Sequence, residues 1–156
     1  MSKDDWRTPK WLFDWCESRY GEFVLDAAAD DTNHLCEEYL TKETNALEFP
    51  WHQVGTNVFC NPPYSNILPW LEFATNELVL GVSSTFILPP PNGTKWAYYL
   101  NYASELVHII GRVGFIHPDT GLVVNQNRQG TLIARFDADK PYKRTYIEFV
   151  YRDDMR

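Results

Sequence analysis

Hydrophobic positions follow one rhythm in the first part of the chain and another in the last. Residues 9–19 read as a helix, and short apolar runs at 23–25, 38–41 and 57–60 read as strands. From Asn66 onward, Ile67, Leu68, Leu71, Ala74 and Leu78 recur at helical spacing, with Pro69 tolerable in the first turn. Thr85 to Leu88 reads as a buried strand, and Trp96, Tyr99, Leu100 and Ala103 mark a further helix. Strands then crowd together at 106–110, 113–116, 131–136 and 145–151. Alternation followed by a run of strands predicts an α/β fold, a compact and mostly parallel sheet closed by an antiparallel edge. No strand is legible between residues 44 and 56.

Chemistry concentrates where these predicted strands end. Val58-Phe59-Cys60 runs into Asn61-Pro62-Pro63-Tyr64. Two successive prolines stiffen that turn and supply no N–H, so the Pro62 carbonyl has no helical hydrogen bond to make. The Asn61 side-chain oxygen and that carbonyl together suit the two hydrogens of an exocyclic base amine, with Tyr64 as a stacking platform. Holding both hydrogens favours a more tetrahedral nitrogen whose lone pair points at a methyl donor, without metal or covalent nucleophile. Taken alone, the tetrapeptide is equally an ordinary proline turn. The run ending in Asp26 is followed by Ala27, Ala28 and Ala29, small enough to let a ligand approach the backbone. Asp26 is positioned for the amino group of a donor's amino-acid tail. Trp6-Arg7-Thr8-Pro9 opens the first helix with Thr8 as N-cap and Pro9 at the first helical position, and the tail's carboxylate can rest near that start. A plain helix cap is the simpler account of that segment.

At 156 residues with 44% hydrophobic positions, the chain is expected to be one globular domain, residues 1–156, with no room for a separate target-recognition domain. No leader pattern or membrane-length apolar run is legible, so a cytoplasmic location is expected, without membrane contact. Cys16, Cys36 and Cys60 are odd in number and widely spaced, as reduced thiols would be. His34, Cys36 and Cys60 lack paired-ligand spacing, so no metal site is expected. The net charge of −7 is awkward for a protein that meets DNA. All of the excess acid precedes residue 61: residues 1–60 hold 5 Lys+Arg against 12 Asp+Glu, and residues 61–156 hold 9 of each. The later part can therefore offer a basic face. Lys95, Arg112, Arg128, Lys140, Lys143 and Arg144 are its candidate nucleic-acid contacts, with the polar stretch Asn125 to Gln129 beside them. A solvated loop and a charged hairpin explain these charges as readily.

Taken together, Trp6-x-Thr8-Pro9, Leu25-Asp26-Ala27-Ala28-Ala29, Asn61-Pro62-Pro63-Tyr64-Ser65 and Gly111-Arg112-Val113-x-Phe115 resemble the phage-type DNA N-6-adenine methyltransferases, the Dam-like family, over residues 6 to 136. The resemblance implies a class I methyltransferase (Rossmann-like) sheet, S-adenosylmethionine as donor and adenine in DNA as acceptor. It assigns catalysis to Asn61, Pro62, Pro63 and Tyr64, and the donor's tail to Thr8, Pro9 and Asp26, beside Ala27 and Ala28. It sets Asn45, where an aspartate is common, and Leu47 around the donor's adenine. Asn61 rather than serine at the head of the motif favours adenine over cytosine N-4. RNA remains open as an acceptor, as does a non-catalytic module that holds donor or nucleic acid without turnover. Trp96 and Phe115 read first as core residues. With no recognition domain, the loops at 89–97 and 117–130 are left to read the target.

Overall fold

The computed structural model describes residues 3–124, 129–140 and 144–156. Eight strands are present among them: β1 (Leu25–Asp26), β2 (Asn57–Cys60), β3 (Ser83–Leu88), β4 (Glu105–Ile110), β5 (Phe115–Ile116), β6 (Val123–Val124), β7 (Thr131–Phe136) and β8 (Tyr146–Tyr151). Six of them form one sheet in the order β1-β2-β3-β7-β4-β8, while β5 and β6 make a separate two-stranded ribbon. Pairs β1–β2, β2–β3 and β4–β8 are parallel, and β7 runs against both its neighbours. Five strands of the main sheet therefore point the same way, and their carboxyl ends share one edge.

The α/β class and the mostly parallel sheet are as the sequence predicts, but the antiparallel strand is not at the edge. β7 lies inside the sheet, buried on both faces, because β8 pairs with β4 and becomes the outer strand. Side chains alternate between two cores, as the pleat requires. Val58, Phe86, Leu88 and Leu132 face one layer, where they meet Leu71, Ala74 and Leu78 of α2 (Leu68–Val79) and Trp96 and Leu100 of a 3-10 helix, Lys95–Tyr102. Phe59, Ile87, Ile133 and Val107 face the other, against Leu12, Phe13 and Cys16 of α1 (Lys10–Tyr20). Burying each such side chain contributes about 1.5–3 kcal/mol. A short helix, α3 (Arg152–Met155), follows β8, and its Met155 joins the second core. Cys16, Cys36 and Cys60 are buried free thiols.

Two other expectations change, at 38–41 and at 95–102, while residues 44–56 form no strand, as the sequence reads. The run at 38–41 makes only an isolated parallel bridge, Tyr39 to Asp26, next to β1. Its backbone still closes around β1, with Leu40 N donating to Asp26 O at 2.9 Å and Ala29 N to Leu40 O at 2.9 Å. Between 44 and 56 the chain makes a 3-10 turn, Trp51–Gln53, after Pro50. Trp51 is fully buried there, its indole N–H donating to Ala46 O at 3.1 Å, and the Glu77 carboxylate of α2 accepts the backbone N–H groups of Trp51 and His52. Residues 95–102 coil as 3-10 rather than α, which brings side chains three apart into register: Tyr99 and Tyr102 stack with centroids 6.3 Å apart.

Candidate active site

β2 delivers the Asn61-Pro62-Pro63-Tyr64 turn to the carboxyl edge of the sheet. Asn66 N donates to Pro63 O at 3.2 Å and closes the turn, while the Pro62 carbonyl accepts no hydrogen bond among the described residues. Asn61 Nδ2 donates to Thr8 Oγ1 at 2.9 Å. With its nitrogen so engaged, the amide presents Oδ1 as its remaining acceptor. The Tyr64 hydroxyl donates to Ile87 O at 3.2 Å, and its ring meets Phe115 edge-on at 6.4 Å. Burial pushes the Tyr64 phenol well above its ordinary range, so it stays neutral. Its ring plane is thereby tied to β3.

Two cavities meet at this turn. The larger, about 650 Å³, is lined by Asn61, Pro62, Tyr64, Pro90, Trp96 and Phe115 among others. The smaller, about 450 Å³, holds Asp26, Ala27 to Ala29, Asn45 and Leu47. Asn61, Asp4 and Trp6 line both. Trp96 and Phe115 are buried as expected, yet each also walls the larger cavity.

Asp26 ends β1 at the floor of the smaller cavity, only 4% exposed. Its carboxylate accepts the backbone N–H groups of Leu35 at 3.0 Å and Ala28 at 3.4 Å. Burial outweighs those bonds and pushes its pKa up to about 6. Asn45 has φ 50°, in the left-handed region that asparagine tolerates better than most residues, and its Oδ1 accepts Leu47 N at 3.3 Å. The side chain that sequence assigns to a donor's adenine is thus first a turn-former that shapes the loop carrying Leu47.

Thr8 is not the helix cap that its position predicts. Pro9 takes the cap position with extended backbone, φ −66° and ψ 143°, and α1 starts one residue later. The Thr8 hydroxyl is turned to Asn61 instead. Pro9 itself lines a third cavity and neither of the first two. Sequence reading missed Asp4, whose carboxylate accepts Ser65 N at 3.0 Å and the Ser65 hydroxyl, pinning the N-terminal segment over the proline turn. It missed Arg7 as well. Arg7 donates to Thr32 Oγ1 at 3.0 Å and exchanges backbone bonds with Ile116, while its Nε is buried without a partner in the wall of the smaller cavity. The one signal was their place in the stretch that carries Trp6-x-Thr8-Pro9.

The proposed basic contacts separate into two groups. Arg112 lines the larger cavity, and exposed Lys95 lies between two of its lining residues, Thr94 and Trp96. Lys140 and Arg144 are at the other end of the sheet, because reversed β7 ends beside the start of β3 and β8 starts beside Glu105. Six residues of strand, roughly 20 Å, separate the two ends. Arg128 and Lys143 are outside the described residues. His34 is engaged by the Cys36 carbonyl at 2.8 Å and stacks on Tyr39, and no metal-binding cluster occurs among the described residues.

A mostly parallel sheet with an acid at the end of one strand, an acceptor-bearing proline turn at the end of the next and two joined cavities above them is the layout of a Rossmann-like amino-methyltransferase. The chain belongs to the DNA N-6-adenine-methyltransferase (Dam) family, whose profile matches residues 1–156. It is 32% identical over 158 residues to a DNA N-6-adenine-methyltransferase of Haemophilus phage HP1, an alignment covering 99% of this chain and 90% of the phage protein. It is 31% identical over 147 residues to the DNA N-6-adenine-methyltransferase of Escherichia phage T1, covering 84% of this chain and 61% of that protein. Methyl transfer to DNA is the activity of the family, and the chain is a transferase.

Proposed function

We propose that the chain transfers a methyl group from S-adenosylmethionine to the exocyclic amine of an adenine turned out of DNA, with Asn61 as the residue that joins donor and acceptor sites. The observation that carries this is the position of Asn61 in the wall of both cavities, its amide oriented by Thr8. The smaller cavity suits the donor. Asp26 offers a buried carboxylate to an ammonium group, Arg7, whose Nη2 stands 3.8 Å from Asp30, keeps a buried Nε without a partner, and Ala27 to Ala29 leave the backbone open to close approach. Leu47 supplies an apolar wall for the adenine moiety. Bound there, S-adenosylmethionine supplies a methyl group on a sulfonium sulfur.

The chain's own part is to hold the acceptor. Asn61 Oδ1 and the Pro62 carbonyl accept the two hydrogens of the base amine, which withdraws its lone pair from the ring and directs it at the methyl carbon. Tyr64, locked by its bond to β3, gives the flipped base a face on which to stack, a contact worth about 1–3 kcal/mol. Phe115 and Trp96 exclude water from the same cavity. With DNA as substrate, the enzyme works in the cytoplasm of the host cell, as a single methyltransferase unit.

Labelled transfer to unmethylated DNA, followed by digestion and mass spectrometry, tests the proposal. N6-methyladenine is the expected product. N4-methylcytosine in its place, or donor binding by calorimetry without any transfer, overturns it.

A further inference from the structure

We infer that the third cavity is a phosphate track for the DNA strand that carries the target base, built from Arg112, Arg152, Arg156 and Lys10. The inference deepens the DNA-methyltransferase reading and rests on it for the identity of the polyanion.

The cavity, about 420 Å³, is lined by these four cations and by no acidic side chain. Arg112 belongs to it and to the base cavity alike, so the two are neighbours at the carboxyl edge of the sheet. The cations come from three separate places. Arg112 follows β4, Arg152 and Arg156 follow β8, and Lys10 opens α1, which starts at this edge and runs back toward the other. Three of them are held by neighbours. Arg152 Nη1 donates to Arg112 O at 2.9 Å, which braces the turn after Gly111, a residue with φ +107°. Arg156 lies over the Trp11 ring at 5.1 Å. Asp14 pairs with Lys10 at 2.8 Å and Asp153 with Arg152 at 3.1 Å, so those two charges are partly offset. The guanidinium groups of Arg112 and Arg156 have no carboxylate partner among the described residues.

A protein of net charge −7 that leaves cations facing one groove has concentrated there the attraction it needs for a polyanion. The groove adjoins the mouth through which the base enters, where the flanking backbone must pass. The exposed Arg152–Asp153 pair is weak enough to yield to a phosphate.

The test is the salt dependence of binding to a labelled duplex, measured by fluorescence anisotropy for wild type, R152Q/R156Q and the charge-keeping R152K/R156K. Each phosphate contact adds about 0.9 to the slope of log K against log salt, so R152Q/R156Q is expected to lower it by about 1 to 2 and R152K/R156K to keep most of it. Donor affinity and melting temperature of both variants report folding and should match wild type. An R152Q/R156Q slope equal to wild type overturns the track, whatever base is methylated. A lowered slope upholds it even if the methylated base proves not to be adenine.

Discussion

The two ends of the sheet handle charge differently. At the amino end, Arg19 bridges Glu105 at 2.7 Å and Glu148, Arg135 donates to Asn57 Oδ1 at 2.6 Å and Thr85 Oγ1 at 3.0 Å while stacking on Tyr20, and Lys140 stands 4.0 Å from Asp137. Charges there are consumed within the fold. At the carboxyl end, Asp26 is buried with no cation paired to it, Arg7 keeps an unpaired Nε, and Arg112 and Arg156 face a groove. Polar groups that the fold leaves without partners are available to ligands only where a cavity reaches them; Tyr20 Oη, Ser84 Oγ and Arg135 Nε at the amino end are also buried without a partner, yet they line none of the three cavities, whereas Arg7 Nε does. Net charge conceals this difference, because it adds both ends together.

Four variants sharpen the contrast. Asn61→Ala removes an acceptor made for the reaction itself, so kcat should fall by about a hundredfold to a thousandfold while donor affinity stays near wild-type level. Unchanged turnover would remove Asn61 from catalysis. Asp26→Asn should weaken the donor by about 10–100-fold, the worth of one charged hydrogen bond, as read by calorimetry. The same residue sets a pH dependence. Its carboxyl rises from 3.8 in the unfolded chain to about 6 on folding, so the folded state holds this proton more tightly. Asp26 therefore favours folding fully below pH 4 and loses that contribution as pH rises through about 6. Asp26→Asn should melt higher than wild type at pH 8, by on the order of 2–3 kcal/mol of stability, and lose that advantage at pH 4. Wild-type donor affinity should fall as pH drops below about 6, where the carboxylate protonates. Equal melting of the two proteins at pH 8 would contradict the burial argument.

Thr8→Val deletes the acceptor that orients Asn61 and should lower kcat by about fivefold to tenfold. An unaltered kcat would mean that Asn61 is oriented by other means. The smallest effect belongs to the amino end: K140Q/R144Q should leave the salt slope of duplex binding where it is in wild type. A slope lowered as far as in R152Q/R156Q would erase the distinction between the ends.

What could be read from the sequence follows the range of the forces involved. β2 and β7 fall at 57–60 and 131–136, the very runs that hydrophobic pattern marks, because strands buried on both faces are mostly apolar, with Asn57, Thr131 and Arg135 as the polar exceptions. The acceptor set of Asn61 to Tyr64 is also local, since proline fixes φ and withholds an N–H wherever it is placed. The Thr8 expectation failed on a longer-range competition: its hydroxyl bonds a side chain 53 residues away rather than its own helix. The run at 38–41 has strand composition but gains only one bridge, since the chain around it is spent closing over β1.

Sequence by itself determined the alternating α/β layout, the stiff acceptor turn and the acid at the end of β1, each a consequence of neighbouring residues acting on one another. Only the tertiary structure decided which distant groups share an edge. The reversed direction of β7 carries Lys140 away from the catalytic turn, and the parallel pairing of β8 with β4 leaves Arg144 at that far end while bringing Arg152 and Arg156 to Arg112. Strand order and direction are set by how all the buried faces pack at once, and no short stretch of chain carries that information.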